Sequence, residues 1–291
     1  MNYLAHINST GSCLSALSTA IETNLYFAKP SNFELRFDGS LTAPLMQITL
    51  TPLEQLDRVS RLLTLLEALL NQDAVREIIK NEQVQHIHFV LPQQNSQHIL
   101  SDLELKSLLS AHFDAMPTFS QQQNSHDNLP LGTLLLVADS LVTAESFVGC
   151  QIQDLQLLNG PLGYTPAEGA CAFFNGPHKT LTRIELKGSL SEQLQAAKAS
   201  VNDSYIFTGQ PSDRWVTQWF AATQPLYTAK DHLIESLQSD TVIGFLGVCQ
   251  PWMDNVIAQA MLSVPFSPIR ERVLIVSNTP TANISIYARS K

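Results

Sequence analysis

Hydrophobic positions along this chain recur at two spacings, which divide it into short strands and amphipathic helices. Tyr3 to Ile7 reads as a first strand, closed by the turn residues Ser9, Thr10 and Gly11. Leu14, Leu17, Ile21 and Leu25 then fall at helical spacing. Phe33 to Phe37 alternates and ends at Asp38-Gly39, a hairpin signal. Thr51-Pro52-Leu53-Glu54 has the layout of a helix start, with Thr as N-cap, Pro at the first helical position and Glu in the capping-box place. The helix expected to follow carries Leu62, Leu63, Leu65, Leu66, Leu69 and Leu70; apolar round much of its circumference, it should be largely buried. Val84 to Leu91 reads as a strand stopped by Pro92, Leu100 to Leu109 as a helix, and Ala115 to Phe119 as a short strand. Gln121 to Asn128 is a polar low-complexity patch, expected as a surface loop.

Two apolar runs, Thr133 to Ala138 and Ala170 to Phe174, read as buried strands, and Asn175-Gly176-Pro177 punctuates the chain after them. Beyond it the pattern predicts strands at Leu181 to Leu186 and Tyr205 to Thr208, with a helix at Ser189 to Ala199 between them. Helical segments follow at Asp213 to Ala222 and Lys230 to Leu237, then an apolar run from Val242 to Val248. A helix at Trp252 to Leu262 and strands at Val273 to Ser277 and Ile284 to Arg289 close the chain. Both halves mix strands with amphipathic helices, which favours a layered α/β architecture. No sequence repeat relates them.

Composition narrows the function classes. A chain of 291 residues, 44% hydrophobic and 15% charged, is long enough for one large domain or two packed halves with a sizeable core. The net charge of −9 and the absence of a basic cluster argue against nucleic acid and against an anionic membrane surface as partners. Cys13, Cys150, Cys171 and Cys249 have neither C-x-x-C nor metal-ligand spacing and read as reduced thiols. No apolar stretch approaches the roughly 20 residues that span a bilayer, and no basic residue precedes an apolar run at the start, so a cytoplasmic location is expected. Nucleophile elbow, Walker loop, dinucleotide fingerprint and H-E-x-x-H are all missing, and neither a cofactor nor a metal site is expected.

One region is more specific. Ala138-Asp139-Ser140-Leu141-Val142-Thr143 ends an apolar run, and Gly163-Tyr164-Thr165-Pro166-Ala167-Glu168-Gly169-Ala170 feeds the next one. This resembles the middle of a β-ketoacyl synthase, a thiolase-fold condensing enzyme, where the same pieces read "GG-D-S" and "G-x-x-P-G-E-G-A". Ala167 stands where that family usually has Gly. The opening, Ile7-Asn8-Ser9-Thr10-Gly11, and the closing strand–turn–strand are similar to the family's with most glycines gone. The resemblance implies an α/β, thiolase-like fold: two stacked α/β halves in one layered domain, 1–176 and 177–291. Asp139, Ser140, Gly163, Pro166, Glu168, Gly169 and Gly209 are the positions matching family motifs, with structural roles expected.

The same resemblance exposes what is lacking. Condensing enzymes use a cysteine at the start of a buried central helix, activated by two histidines or by His and Asn, because a free thiol is mostly protonated near neutral pH. That helix lies shortly before the strand leading to "GG-D-S". Here Ser120 to Gly132 is polar, holds Pro130 and Gly132 and contains no Cys, so the nucleophile helix is read as deleted. The family's "H-G-T-G-T" corresponds to Thr208-Gly209-Gln210-Pro211-Ser212, with Thr in the His place. The "K-S-x-x-G-H" motif puts Ile234-Glu235 or Gly244-Phe245 in its Gly-His places, depending on register.

The remaining candidates have bland readings. Cys171 lies among apolar neighbours, as a buried structural thiol would. Cys249, before Pro251-Trp252 at a helix start, is a weak candidate for a relocated nucleophile and otherwise a buried thiol. His86 and His88 share a strand face, which suits a polar surface better than a two-ligand metal site. Asp139-Ser140 is expected to form a turn, and Glu168 to be a structural hydrogen-bond or ion-pair residue. The leading expectation is a degenerate synthase homologue without catalysis, a partner or scaffold subunit in fatty-acid or polyketide-type acyl metabolism. It would form a homodimer, or a heterodimer with an active synthase homologue, and acyl carrier protein is a further candidate partner. The alternative is an acyltransferase or thioester hydrolase using Cys249.

Overall fold

Apolar runs without alternation suit strands covered on both faces, and the two longest such runs form the centre of a sheet. The computed structural model describes residues 1–37, 41–50, 53, 56–81, 84–94, 97–122, 129–143, 165–199, 203–208, 213–227, 235–263, 270–278 and 282–290. Its first part contains β1 (Asn2–Ile7), α1 (Leu14–Glu22), β2 (Lys29–Phe37), β3 (Leu41–Gln47), α2 (Arg58–Leu70), α3 (Asp73–Asn81) and β4 (His86–Val90). Then come β5 (Gln93–Gln94), β6 (Gln97–His98), α4 (Asp102–Ser110), β7 (Thr118–Gln122), β8 (Thr133–Ser140) and β9 (Glu168–Asn175). The second part contains β10 (Leu181–Glu185), α5 (Leu190–Ala197), β11 (Ser204–Thr208), α6 (Asp213–Tyr227), β12 (Glu235–Gln238) and α7 (Asp240–Ile243). A 3-10 turn (Gly247–Cys249), α8 (Gln250–Ser263), β13 (Arg272–Asn278) and β14 (Ala282–Arg289) complete it.

Two five-stranded sheets result, ordered β1-β9-β8-β4-β7 and β10-β14-β13-β11-β12. Counted within each sheet in chain order, both run 1-5-4-2-3. In both, strand 5 (β9 or β14) is antiparallel to its two neighbours, while the remaining pairs are parallel. The two parts thus share one topology without sharing sequence.

Side-chain alternation on these strands sorts the core into layers. Leu134, Leu136 and Ala138 face α2, α3 and α4, which bury Leu62, Leu66, Val75, Leu105 and Leu109 on the outer side of the first sheet. Leu135, Val137, Cys171 and Phe173 face inward onto Leu17 and Ile21 of α1 and onto α8. From the other side Ile206, Val273 and Ile275 close on the same two helices. Outside the second sheet, Leu194 of α5 and Trp215 and Trp219 of α6 cover Tyr205, Phe207 and Val276. The order is α/β/α/β/α, with α1 and α8 as the central layer. From Trp252 to Leu262 α8 is buried except at Asn255 and Gln259, which are partly exposed, as suits a middle-layer helix.

Several elements depart from the sequence-based expectations. α2 starts at Asp57, whose carboxylate accepts from Ser60 N, and not at Thr51, where 51, 52, 54 and 55 lie outside the described residues. α3 was not anticipated. β7 takes up Gln121 and Gln122, which pair in parallel with Phe89 and Val90, so the polar patch is in part an edge strand. Residues 235–238 form a strand, not a helix, because register with Ser204 to Phe207 outweighs a weak helical spacing. Asp139 and Ser140 are the last residues of β8, paired with Gly169 and Glu168, and do not form a turn.

One crossover differs between the sheets. β12 and β13 are joined by 239–271, which holds α7, the 3-10 turn and α8. β7 and β8 are joined by 123–132, of which the described residues, 129–132, include no helix.

Candidate functional site

The C-terminal ends of β8 and β11 open toward the segment that leads into α8, and buried polar groups collect there. Asp139 and Glu168 leave the paired ends of β8 and β9 almost wholly buried, at 1% exposure each. A carboxylate so placed must be paired or neutral. Glu168 accepts from Arg61 at 2.8 and 3.0 Å, from Leu50 N at 2.7 Å and from the Ser140 hydroxyl at 3.0 Å. Asp139 accepts from Arg58 at 3.2 Å, from Ser140 N at 2.8 Å and from Val248 N at 2.9 Å. Burial raises the Asp139 carboxyl above its ordinary value, opposed by Arg58 and the backbone donors.

Those donors come from both parts of the chain. Arg58 and Arg61, three apart in the first turns of α2, point one face of a leucine-rich helix at the two carboxylates. Val248 lies in the 3-10 turn before α8, so Asp139 ties the first sheet to the second part. Gly247 adopts φ +54°, and a Cβ there would run into Asp139 Oδ2; the close approach requires glycine. Pro166 supports the same tie through its backbone: its carbonyl accepts from Ile48 N at 2.9 Å, and the neighbouring Ala167 N donates to Phe245 O at 3.0 Å. Gly169 leaves no room for a side chain, since a Cβ would stand 2.8 Å from Ile7 O. Gly163 and Gly209 lie outside the described residues.

The thiols divide by environment. Cys249, buried at the entry to α8, donates to Gly169 O over 3.4 Å. Burial pushes its thiol well above the ordinary value, and the neighbouring Cys171 and Asp139 push the same way. Any activation by the helix start is outweighed by desolvation and by a nearby carboxylate. Cys171 is likewise buried. Cys13 behaves oppositely: exposed at the N-cap of α1, its thiol is lowered by the Ser15 hydroxyl and by backbone N–H groups. Beside Thr208, at the end of β11, Asp254 of α8 is buried, and burial raises its carboxyl to about 6 against the opposing pull of Thr208, Arg183 and Gln250. His86 and His88 are not brought to this site. Both rings bond to Ser120 Oγ at 2.8 Å, and His86 also reaches Thr118 at 2.9 Å. No group of three potential metal ligands occurs among the described residues.

Arg58, Arg61 and Asp254 went unnoticed in the sequence. For the arginines a signal existed: two guanidinium side chains inside the buried stripe of a leucine helix demand carboxylate partners.

No family profile and no curated protein sequence matches the chain. Solved structures do. A chain of AntDE:AntF, described as a type II PKS acyl-carrier protein in complex with its ketosynthase bound to the hexaketide, superposes with TM-score 0.54 at 10% identity over 99% of this chain and 98% of that one. The ketosynthase from module 1 of the bacillaene synthase of Bacillus amyloliquefaciens FZB42 superposes with TM-score 0.53 at 10% identity, covering 100% of this chain and 72% of that one. The chain has the thiolase-like fold of the ketosynthases. Within this ketosynthase fold, β8 is the strand leading to Asp139-Ser140, and 123–132 is the segment preceding it. β11 ends on Thr208. No helix among the described residues is long and apolar enough to cross a membrane.

Proposed function

We propose that this protein is a catalytically degenerate ketosynthase homologue that serves as a non-catalytic partner or scaffold subunit in fatty-acid or polyketide-type acyl metabolism. Its two halves are taken as 1–176 and 177–291. A shared fold does not by itself give an activity, so the reading rests on the site. The observation that carries it is that the carboxylates at the strand ends are consumed in structural ties. Arg58, Arg61 and backbone N–H groups hold Asp139 and Glu168, while the nearby Cys249 thiol is pushed away from its reactive form. Thr208 in the His place and the cysteine-free stretch at 120–132 support the same reading.

A structural neighbour supports the choice of partner. One structural neighbour is described as an acyl-carrier protein in complex with its ketosynthase; an acyl carrier protein or an active synthase, or a second copy of this chain, is the corresponding partner here. Intact mass after incubation with a panel of acyl-CoA and acyl-carrier thioesters tests the chemistry. The expected result is no adduct under conditions that load an active synthase, together with co-purification of a synthase or carrier protein. One acyl group per chain, mapped to a single cysteine, would overturn the proposal.

A further inference from the structure

At the opposite end of the first sheet from Asp139 lies a cavity of about 340 Å³, within the size range of small-molecule sites. Phe173 lies across from Leu135, four residues back along β8 from Asp139, or about 13 Å. The cavity occupies the seam where the outer strands of the two sheets, β1 and β10, come together; Thr180 N donates there to the Asn2 side chain at 3.0 Å. One wall is aromatic. Phe173 and Trp252 have ring centroids 5.4 Å apart at 46°, and Tyr3 meets Phe173 edge-on at 6.3 Å and 75°. Asn255 and Gln259, on the same stripe of α8 as Trp252, add amides.

The lining is also charged. Lys179 and Arg183 line it together with one carboxylate, Glu185, so its charged side chains are positive on balance. Arg183 and Glu185 approach no closer than 3.8 Å, with side chains 40% and 56% exposed, so their pairing is weak. The Arg183 guanidinium is held in place by a 3.4 Å bond to Ser285 and by its position over the Tyr287 ring. An oriented cation and flat rings lining one small cavity suit a ligand with a negative charge and a planar apolar body.

We propose that this seam cavity binds a small aryl carboxylate, its ring against Tyr3, Phe173 and Trp252 and its carboxylate toward Arg183 and Lys179. The cavity is not lined by Asp139, Glu168 or Cys249, and its proposal is independent of the role proposed for them; Arg183 also acts on the Asp254 carboxyl.

Titration calorimetry of the full chain with 2-naphthoate, its uncharged analogue 2-naphthamide, and octanoate tests the proposal. One 2-naphthoate should bind per chain, at least tenfold tighter than 2-naphthamide and tighter than octanoate. Lys179→Gln should weaken 2-naphthoate about threefold, and Lys179→Gln with Arg183→Gln about tenfold or more, leaving 2-naphthamide unchanged. Asn255→Trp, which fills the cavity from a partly exposed helix position, should abolish binding of both aryl probes while the fold is retained by circular dichroism. Absence of saturable binding, equal affinity for acid and amide, tighter binding of octanoate, or indifference to Asn255→Trp would each overturn it.

Discussion

The crossover between strands 3 and 4 differs in the two sheets, although their strand orders are the same. In the second, 239–271 carries α8 into the middle layer, where it packs on both sheets. In the first, the equivalent connection is 123–132, and the helix facing α8 is α1, from the connection that follows strand 1. The corresponding helix of the second sheet, α5, lies on the outer face. Equal topology therefore does not require equal layering. What the sandwich needs between its sheets is apolar helical surface, and that surface comes from whichever connection is amphipathic enough to supply it. In the first half it is α1 that supplies the central-layer packing against α8.

The comparison can be broken hardest at the ion pair under the first sheet. Arg61→Ala leaves Glu168 buried without its guanidinium and should cost about 3–5 kcal/mol, read as a lower denaturation midpoint. If the midpoint hardly moves, the pair is not what anchors α2 to the ends of β8 and β9. A smaller effect of opposite sign is expected in the second half at Asp254. Its carboxyl is raised to about 6 from 3.8, so the folded state holds the proton more tightly than the unfolded chain. Its contribution is full below about pH 4 and is lost as pH rises through 6, up to about 3 kcal/mol. Asp254→Asn should accordingly stabilise the protein at pH 8, with the gain fading toward pH 4; a gain independent of pH would disprove the assignment.

Smallest, and sharpest for the comparison, are the two capping boxes. Ser101 with Glu104 starts α4 in the first half, and Ser189 with Glu192 starts α5 in the second. Ser101→Ala and Ser189→Ala should each cost about 1 kcal/mol. Because α1 and α8 join both sheets in one core, each should shift a single unfolding transition. Two separate transitions, one responding to each variant, would mean that the halves unfold independently.

Much of the architecture was legible because burial writes itself into composition. β8 and β9 stand out as largely apolar runs, and α8 as a mostly apolar helix. The strand at 235–238 was not legible: four residues leave too few positions to separate a period of 2 from one of 3.6, and only pairing with β11 decides it. At the site, Asp139 and Glu168 were found through their motif, but their surroundings were not, since Arg58, Arg61 and Val248 come from sequence positions 81 or more residues from Asp139 or Glu168. Local propensity placed Asp139-Ser140 in a turn; the ladder to β9 overrides it. For Cys249 the buried-thiol reading agrees with its burial, while the weaker nucleophile reading came from neighbours in sequence that announce a helix start; those in space are apolar groups and a carboxylate.

The antiparallel fifth strand of each sheet has a consequence for synthesis. Among the described residues β1 finds its only sheet partner in β9, and β10 finds its own in β14. On the ribosome, the segment Leu181–Glu185 emerges almost a hundred residues before Ala282–Arg289, which alone can dock it. Each sheet is closed by its last strand, so a nascent chain must keep an unpaired strand out of wrong company until translation of that half is nearly finished.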